Sequence, residues 1–179
     1  MALTATMYRF GIQLSDVDRG VYETLELPIA RQPSETAEYM LTRVLAWCLE
    51  YTEGIALTEG VASGDEPAVL VRDLTGRITA WIEVGAPDAD RVHRGSKLAG
   101  RVAIYTHRDP AMVLGQLAGK KIHRGDEIPI YSFGRGFIES VAEILPRRAS
   151  LSVTVTERQL YLDVDEQSFS TTIEERKAG

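Results

Sequence analysis

Two acidic clusters flank a hairpin pattern in the middle of this chain, Asp65-Glu66-Pro67 on one side and Glu83-Val84-Gly85 on the other. Carboxylates on neighbouring strands repel one another, and a divalent cation with hard oxygen ligands is the first compensation to expect. The chemistry this permits is Mg2+ binding and, through a metal-activated water, attack on a phosphate ester. The competing reading is a solvated strand end whose acids simply face water. Glu83 falls between apolar Ile82 and Val84, and a glutamate turned inward there needs a partner.

The turn decides which acid faces which. Asp73-Leu74-Thr75-Gly76 has Asp at the first position and Gly at the fourth, as in a type I turn followed by a glycine bulge. Counting outward from Asp73 opposite Arg77 sets Pro67 opposite Glu83 with Asp65 on the same face, and a slip of one residue favours Glu66 instead. Asp73 lies at the far tip, roughly 20 Å from Glu83 at ~3.3 Å per residue, too far to share an ion with it.

The elements that must position these residues are legible from periodicity. Tyr8, Phe10, Ile12 and Leu14 alternate with polar neighbours, and Leu25, Leu27 and Ile29 do so again, which predicts an N-terminal hairpin. Ser34 is the expected N-cap of a helix carrying Leu41, Val44, Leu45 and Cys48, with Glu35 and Glu38 in its first turn and Gly54 as its stop. A short strand is expected over 55–62, then the hairpin, then a helix over 88–99 with Arg91, Arg94 and Lys97 along one side. That basic row is either an ordinary solvated helix face or a phosphate-contacting stripe.

Further on, strands are expected over 102–106 and 128–132, helices over 112–118 and 137–145, and a C-terminal hairpin turning at Glu157-Arg158. The last ten residues, lacking apolar alternation, are expected to fray. Gly134-Arg135-Gly136 has part of a phosphate-loop pattern without its third glycine and reads as structural. Cys48 reads as a buried small hydrophobe, and His93, His107 and His123 show no zinc-ligand spacing.

Composition narrows the classes. At 179 residues and 44% hydrophobic content the chain suits one domain over 1–179. A net charge of −6 gives no general attraction to nucleic acid or anionic membranes. One cysteine, no signal peptide pattern and no long apolar run lead us to expect a cytoplasmic protein without membrane contact.

From Ser34 to Thr106 the expected order of helix, strand, two-strand hairpin, helix and strand resembles the core of PD-(D/E)xK nucleases, the restriction-endonuclease-like fold. Over nearly the whole chain, Met1-Ala2-Leu3-Thr4-Ala5-Thr6, Arg31-Gln32-Pro33-Ser34-Glu35-Thr36, Leu45-Ala46-Trp47 and Trp81-Ile82-Glu83-Val84-Gly85-Ala86-Pro87-Asp88 resemble the bacterial YaeQ family. The resemblance implies an α/β (α+β) fold with a nuclease-like mixed sheet over about 34–106, flanked by helices, with further antiparallel strands from both termini. It also implies no firmly assigned activity and a loose association with transcription elongation.

Carried over by position, the resemblance makes Glu38, Asp65 or Glu66, and Glu83 the Mg2+ ligands. Gly85 stands where the nuclease pattern has a lysine that stabilises charge on the scissile phosphate, and Arg94, with Arg91 and Lys97 as alternatives, is the expected substitute. The leading reading is a Mg-dependent or degenerate nuclease acting on nucleic acid. The alternatives are a non-catalytic interaction protein on the same scaffold, engaging transcription machinery or a nucleic-acid complex, and a hydrolase for a small phosphorylated molecule.

Overall fold

Tyr8, Phe10, Ile12 and Leu14 turn inward from β1 (Thr6–Asp16), as their alternation requires, and Leu27 and Ile29 do so from β2 (Val21–Arg31). The computed structural model describes residues 4–59 and 65–179. The chain continues through α1 (Ala37–Leu49), β3 (Ile55–Leu57), β4 (Val69–Arg72), β5 (Ile78–Val84), α2 (Ala89–Leu98), β6 (Arg101–Thr106), α3 (Pro110–Leu117), β7 (Pro129–Ser132) and α4 (Phe137–Ile144). It ends in β8 (Arg148–Thr156), β9 (Gln159–Val164), β10 (Gln167–Thr172) and β11 (Glu174–Lys177).

These strands make two mixed sheets, ordered β10-β9-β8-β1-β2 and β11-β7-β6-β5-β4-β3. In the first, the N-terminal and C-terminal hairpins join through a parallel β1–β8 pairing. In the second, β5, β6 and β7 run parallel, and β3, β4 and β11 are antiparallel to their neighbours. α1 is enclosed between the sheets: every residue from Met40 to Leu49 is buried. A helix apolar around most of its circumference has to lie in this kind of interior position. α1 and α4 share one core with the inner faces of both sheets, and α2 and α3 cover the opposite face of the second sheet around Trp81, Val92, Ile104 and Val113.

Four expectations need correction. Thr36, not Ser34, caps α1, its hydroxyl accepting from the Tyr39 N–H at 3.0 Å. α1 stops at Leu49, and Gly54, at φ +89°, instead turns the chain into β3. β3 covers only Ile55–Leu57, and residues 60–62 of the expected strand lie outside the described residues. The C-terminal ten residues are paired: β11 adds to β7, and the Ala178 and Gly179 N–H groups donate to Ile128 and Gly125, each at 2.9 Å. β11 is an edge strand of charged residues, which resists further strand addition and leaves no apolar alternation to read.

The hairpin turn forms as expected, with the Asp73 N–H on the Arg77 carbonyl at 2.9 Å and Arg72 opposite Ile78. The next step breaks the count. Val71 pairs with Ala80, so Thr79 is an extra residue on β5, a bulge that shifts the rest of the ladder by one position. Val69 then faces Ile82, and the same register carries Ala68, rather than Pro67, opposite Glu83. This is the slip that favours Glu66 over Asp65.

Candidate functional site

The site lies at the C-terminal ends of parallel β5 and β6, where loops diverge from the sheet and ligands commonly bind in open α/β sheets. A cavity of about 400 Å³ opens there, lined by the start of α1, the β5–α2 connection and His107-Arg108 after β6. Alternation along β5 sends Ile82 and Val84 towards α1, and Trp81 and Glu83 towards α2.

Glu83 is a buried acid of this site, 3% exposed. Its Oε2 accepts from the Trp81 Nε1–H at 2.9 Å and from the Arg91 Nε–H at 3.1 Å, while Oε1 lies 3.4 Å from Arg91 Nη2. Arg91 Nη2 also donates to the Glu66 backbone carbonyl at 2.6 Å, tying α2 to the entry of β4. Burial raises the Glu83 carboxyl above its ordinary value, and the Arg91 charge with its hydrogen bonds offsets only part of that rise. The Tyr39 hydroxyl on the cavity wall is pushed up to about 12, first by burial and then by the Glu83 charge.

The other expected ligands do not converge on Glu83. Asp65 is 98% exposed at its side chain and faces Arg94 at 3.9 Å. The Glu66 carboxylate lies 3.9 Å from Arg72, so its backbone, not its side chain, belongs to the site. Glu38 sits in the first turn of α1, on the opposite side of the sheet from Glu83, and its charge acts on His107. Among the described residues no three His, Cys, Asp or Glu side chains are grouped to hold a metal ion. Arg91 takes the position expected for Arg94, because it lies one helical turn nearer the N-terminus of α2 and so nearer the end of β5. Lys97 stands at the far end of α2, exposed.

Gly85 has φ +88°, and a Cβ there would sit 3.3 Å from Tyr39 Cε2. A lysine at this position is therefore strained before its amine reaches anything. Gly85→Lys is expected to lower stability by about 1–3 kcal/mol, read as a shifted urea midpoint, because a side chain is forced into the left-handed region. An unchanged midpoint would show that the loop relaxes at no cost.

Sequence reasoning missed the contributions of Tyr39, His107 and Arg108. His107 packs edge-on against Tyr39 with ring centroids 6.3 Å apart, and its Nδ1 is buried without a hydrogen-bond partner among the described residues. Burial and the neighbouring Arg108 hold its pKa below the ordinary imidazole value. Arg108 is exposed and forms no ion pair among the described residues. Only the position of His107 and Arg108 just beyond the end of β6 would have marked them. Cys48 is buried as expected, its thiol pushed up to about 12.

A family model described as YaeQ protein matches residues 1–173. The chain belongs to the YaeQ family. The YaeQ protein of Escherichia coli K12, described as uncharacterised, is 29% identical over 174 residues, covering 97% of this chain and 96% of its own. The uncharacterised YaeQ of Salmonella typhi is 30% identical over 163 residues, 90% of each chain. The crystal structure of YaeQ from Pseudomonas syringae superposes with TM-score 0.86 at 31% identity, covering 98% of each chain. YaeQ from Xanthomonas axonopodis pv. citri gives TM-score 0.87 at 27% identity over 98% of this chain and 100% of that one. The mixed α/β architecture is thus similar to that of both solved YaeQ structures, and no helix among the described residues is long and apolar enough to cross a membrane.

Proposed function

We propose that this YaeQ-family chain is a non-catalytic nucleic-acid-binding protein that keeps a nuclease-like arrangement of elements and has exchanged its metal site for an arginine clamp. The observation that carries this reading is the state of Glu83: its carboxylate is held by Trp81 and Arg91, and among the described residues no three His, Cys, Asp or Glu side chains are grouped to hold a metal ion there. A cation site needs clustered anionic oxygens, and here the cation is the guanidinium of Arg91. The α1, β3, β4, β5, α2, β6 order supports the nuclease-like ancestry. Arg108 and the N-terminus of α1 at the cavity mouth supply local attraction for phosphate against the net charge of −6.

The test is binding of a labelled single-stranded oligonucleotide, followed by anisotropy in EDTA and in Mg2+ across a salt series. The expected result is equal affinity in both, within about twofold, a fall in affinity with salt, weaker binding by Arg108→Ala, and an intact oligonucleotide throughout. Cleavage that requires Mg2+ would restore the nuclease reading, in which substrate and metal together displace Arg91 from Glu83. Absence of binding in either condition would move the search to protein partners, transcription machinery among them.

A further inference from the structure

Beside the Glu83 cavity, and sharing His107 and Arg108 with it, a second cavity of about 340 Å³ lies between the ends of β6 and β7 and the start of α4. Its basic groups are uncommitted. Arg108 and Arg135 are exposed and form no ion pair among the described residues. Two of its three acids are engaged elsewhere: Asp109 accepts from the Ala111 N–H at 2.9 Å to cap α3, and Glu174 lies 3.6 Å from Arg176. Glu174 thus shares its charge with Arg176, and the two guanidiniums face two carboxylates, Glu139 and Asp109, whose hydrogen bond to a neutral N–H leaves its charge in place.

The backbone and the wall of the cavity add further contacts beside the two guanidiniums. Gly136, at φ +82°, is the N-cap of α4 and offers no side chain to its first-turn N–H groups. The Phe137 N–H donates to the Gly134 carbonyl at 3.1 Å, which leaves those of Ile138 and Glu139 as donors for an anion beside the Glu139 carboxylate. The Gly134 N–H is already taken, by Thr171 Oγ1 at 2.7 Å, which fixes the loop to β10. Phe133 also lines the cavity, its ring stacked on Phe137 at 5.9 Å between centroids and 25° between planes. An aromatic face backed by a second ring accepts a nucleobase without selecting its identity.

We infer that this second cavity binds the terminal phosphoryl group of a nucleotide, held between Arg108 and Arg135 at the start of α4, with the base against Phe133. Arginine forks match phosphate oxygens bidentately, and a terminal phosphate presents more charge than an internal diester. The ligand is either a free mononucleotide or the phosphorylated end of a strand. This inference does not need the polyanion reading of the Glu83 cavity.

Calorimetry at low ionic strength tests it, with adenosine 5′-monophosphate against adenosine and a 5′-phosphorylated tetranucleotide against its 5′-hydroxyl form. The probes are titrated into wild type, Arg135→Ala and, as a control outside the cavity, Lys97→Ala. At least one phosphorylated probe is expected to bind ten times more tightly than its partner, with the gain lost in Arg135→Ala, kept in Lys97→Ala, and thermal unfolding unchanged in both. A gain for the mononucleotide assigns the site to free nucleotides, and a gain for the tetranucleotide alone assigns it to strand ends. Equal binding within both pairs, or a gain that survives Arg135→Ala, overturns the inference. Either result leaves oligonucleotide binding at the Glu83 cavity standing or falling on its own test.

Discussion

Glu35→Ala and Arg43→Ala are each expected to cost about 3–5 kcal/mol of stability, the cost of leaving one member of a buried ion pair without its partner. The side chains are 0% and 1% exposed and meet at 2.7 and 3.1 Å through Arg43 Nε and Nη2. Arg43 also donates to the carbonyls of Thr58 and Ala30 at 3.1 and 3.0 Å, and Glu35 Oε1 accepts from the Gln32 N–H at 3.1 Å. The pair thus clamps the entry of α1 to β2 and to the segment after β3. A domain of this kind has only about 5–15 kcal/mol in total, so either variant should unfold at markedly lower urea. The Glu35→Leu, Arg43→Met double variant removes both charges and is expected to lose less than the sum of the single losses. Single losses below about 1 kcal/mol would show that water reaches the pair.

Arg91→Ala is expected to cost about 2–3 kcal/mol at neutral pH, because it leaves the Glu83 carboxylate buried with Trp81 as its one remaining donor among the described residues. Glu83→Gln, by contrast, is expected to be at least as stable as wild type there, since an amide accepts from Trp81 and Arg91 without a buried charge. pH dependence follows from the raised Glu83 pKa. The folded state holds this proton more tightly than the unfolded state, so between the ordinary 4.5 and the raised value the folded protein carries more protons and loses stability as pH rises. Urea unfolding across that window should show the slope in wild type, a flattened one in Glu83→Gln and a steeper one in Arg91→Ala. Equal slopes in all three would remove Glu83 as the titrating group.

Much of the fold was open to a reader of the sequence because its cores are written in periodic apolar residues. The N-terminal hairpin, the helix capped by Asp88 and the β8–β9 hairpin form where expected, with β2 and β8 starting four and three residues ahead of their first expected apolar positions, Leu25 and Leu151. The misses have local causes. The bulge at Thr79 has no signature among β-favouring residues, and it moves Glu66 rather than Asp65 onto the Glu83 face. Either Ser34 or Thr36 has the chemistry of a cap, and the choice follows from Glu35 turning inward to Arg43, which is itself fixed by the distant carbonyls of Ala30 and Thr58.

The site was legible in part. Glu83 as an inward acid needing a partner is supported by its burial, yet the partner is a guanidinium. Among Arg91, Arg94 and Lys97 the choice depended on how far along α2 the end of β5 lies. His107, Arg108 and Arg135 belong to loops brought together by the parallel order of β5, β6 and β7, and local periodicity carries no trace of that order.

The measurement closest to the central claim is calorimetric titration of Mg2+ and Mn2+ into wild type and Glu83→Gln, with Arg91→Ala alongside. With the Glu83 carboxylate already held by Arg91 and Trp81, no saturable binding is predicted for wild type or Glu83→Gln. Saturable binding by wild type that disappears in Glu83→Gln would contradict the account and make Glu83 a metal ligand.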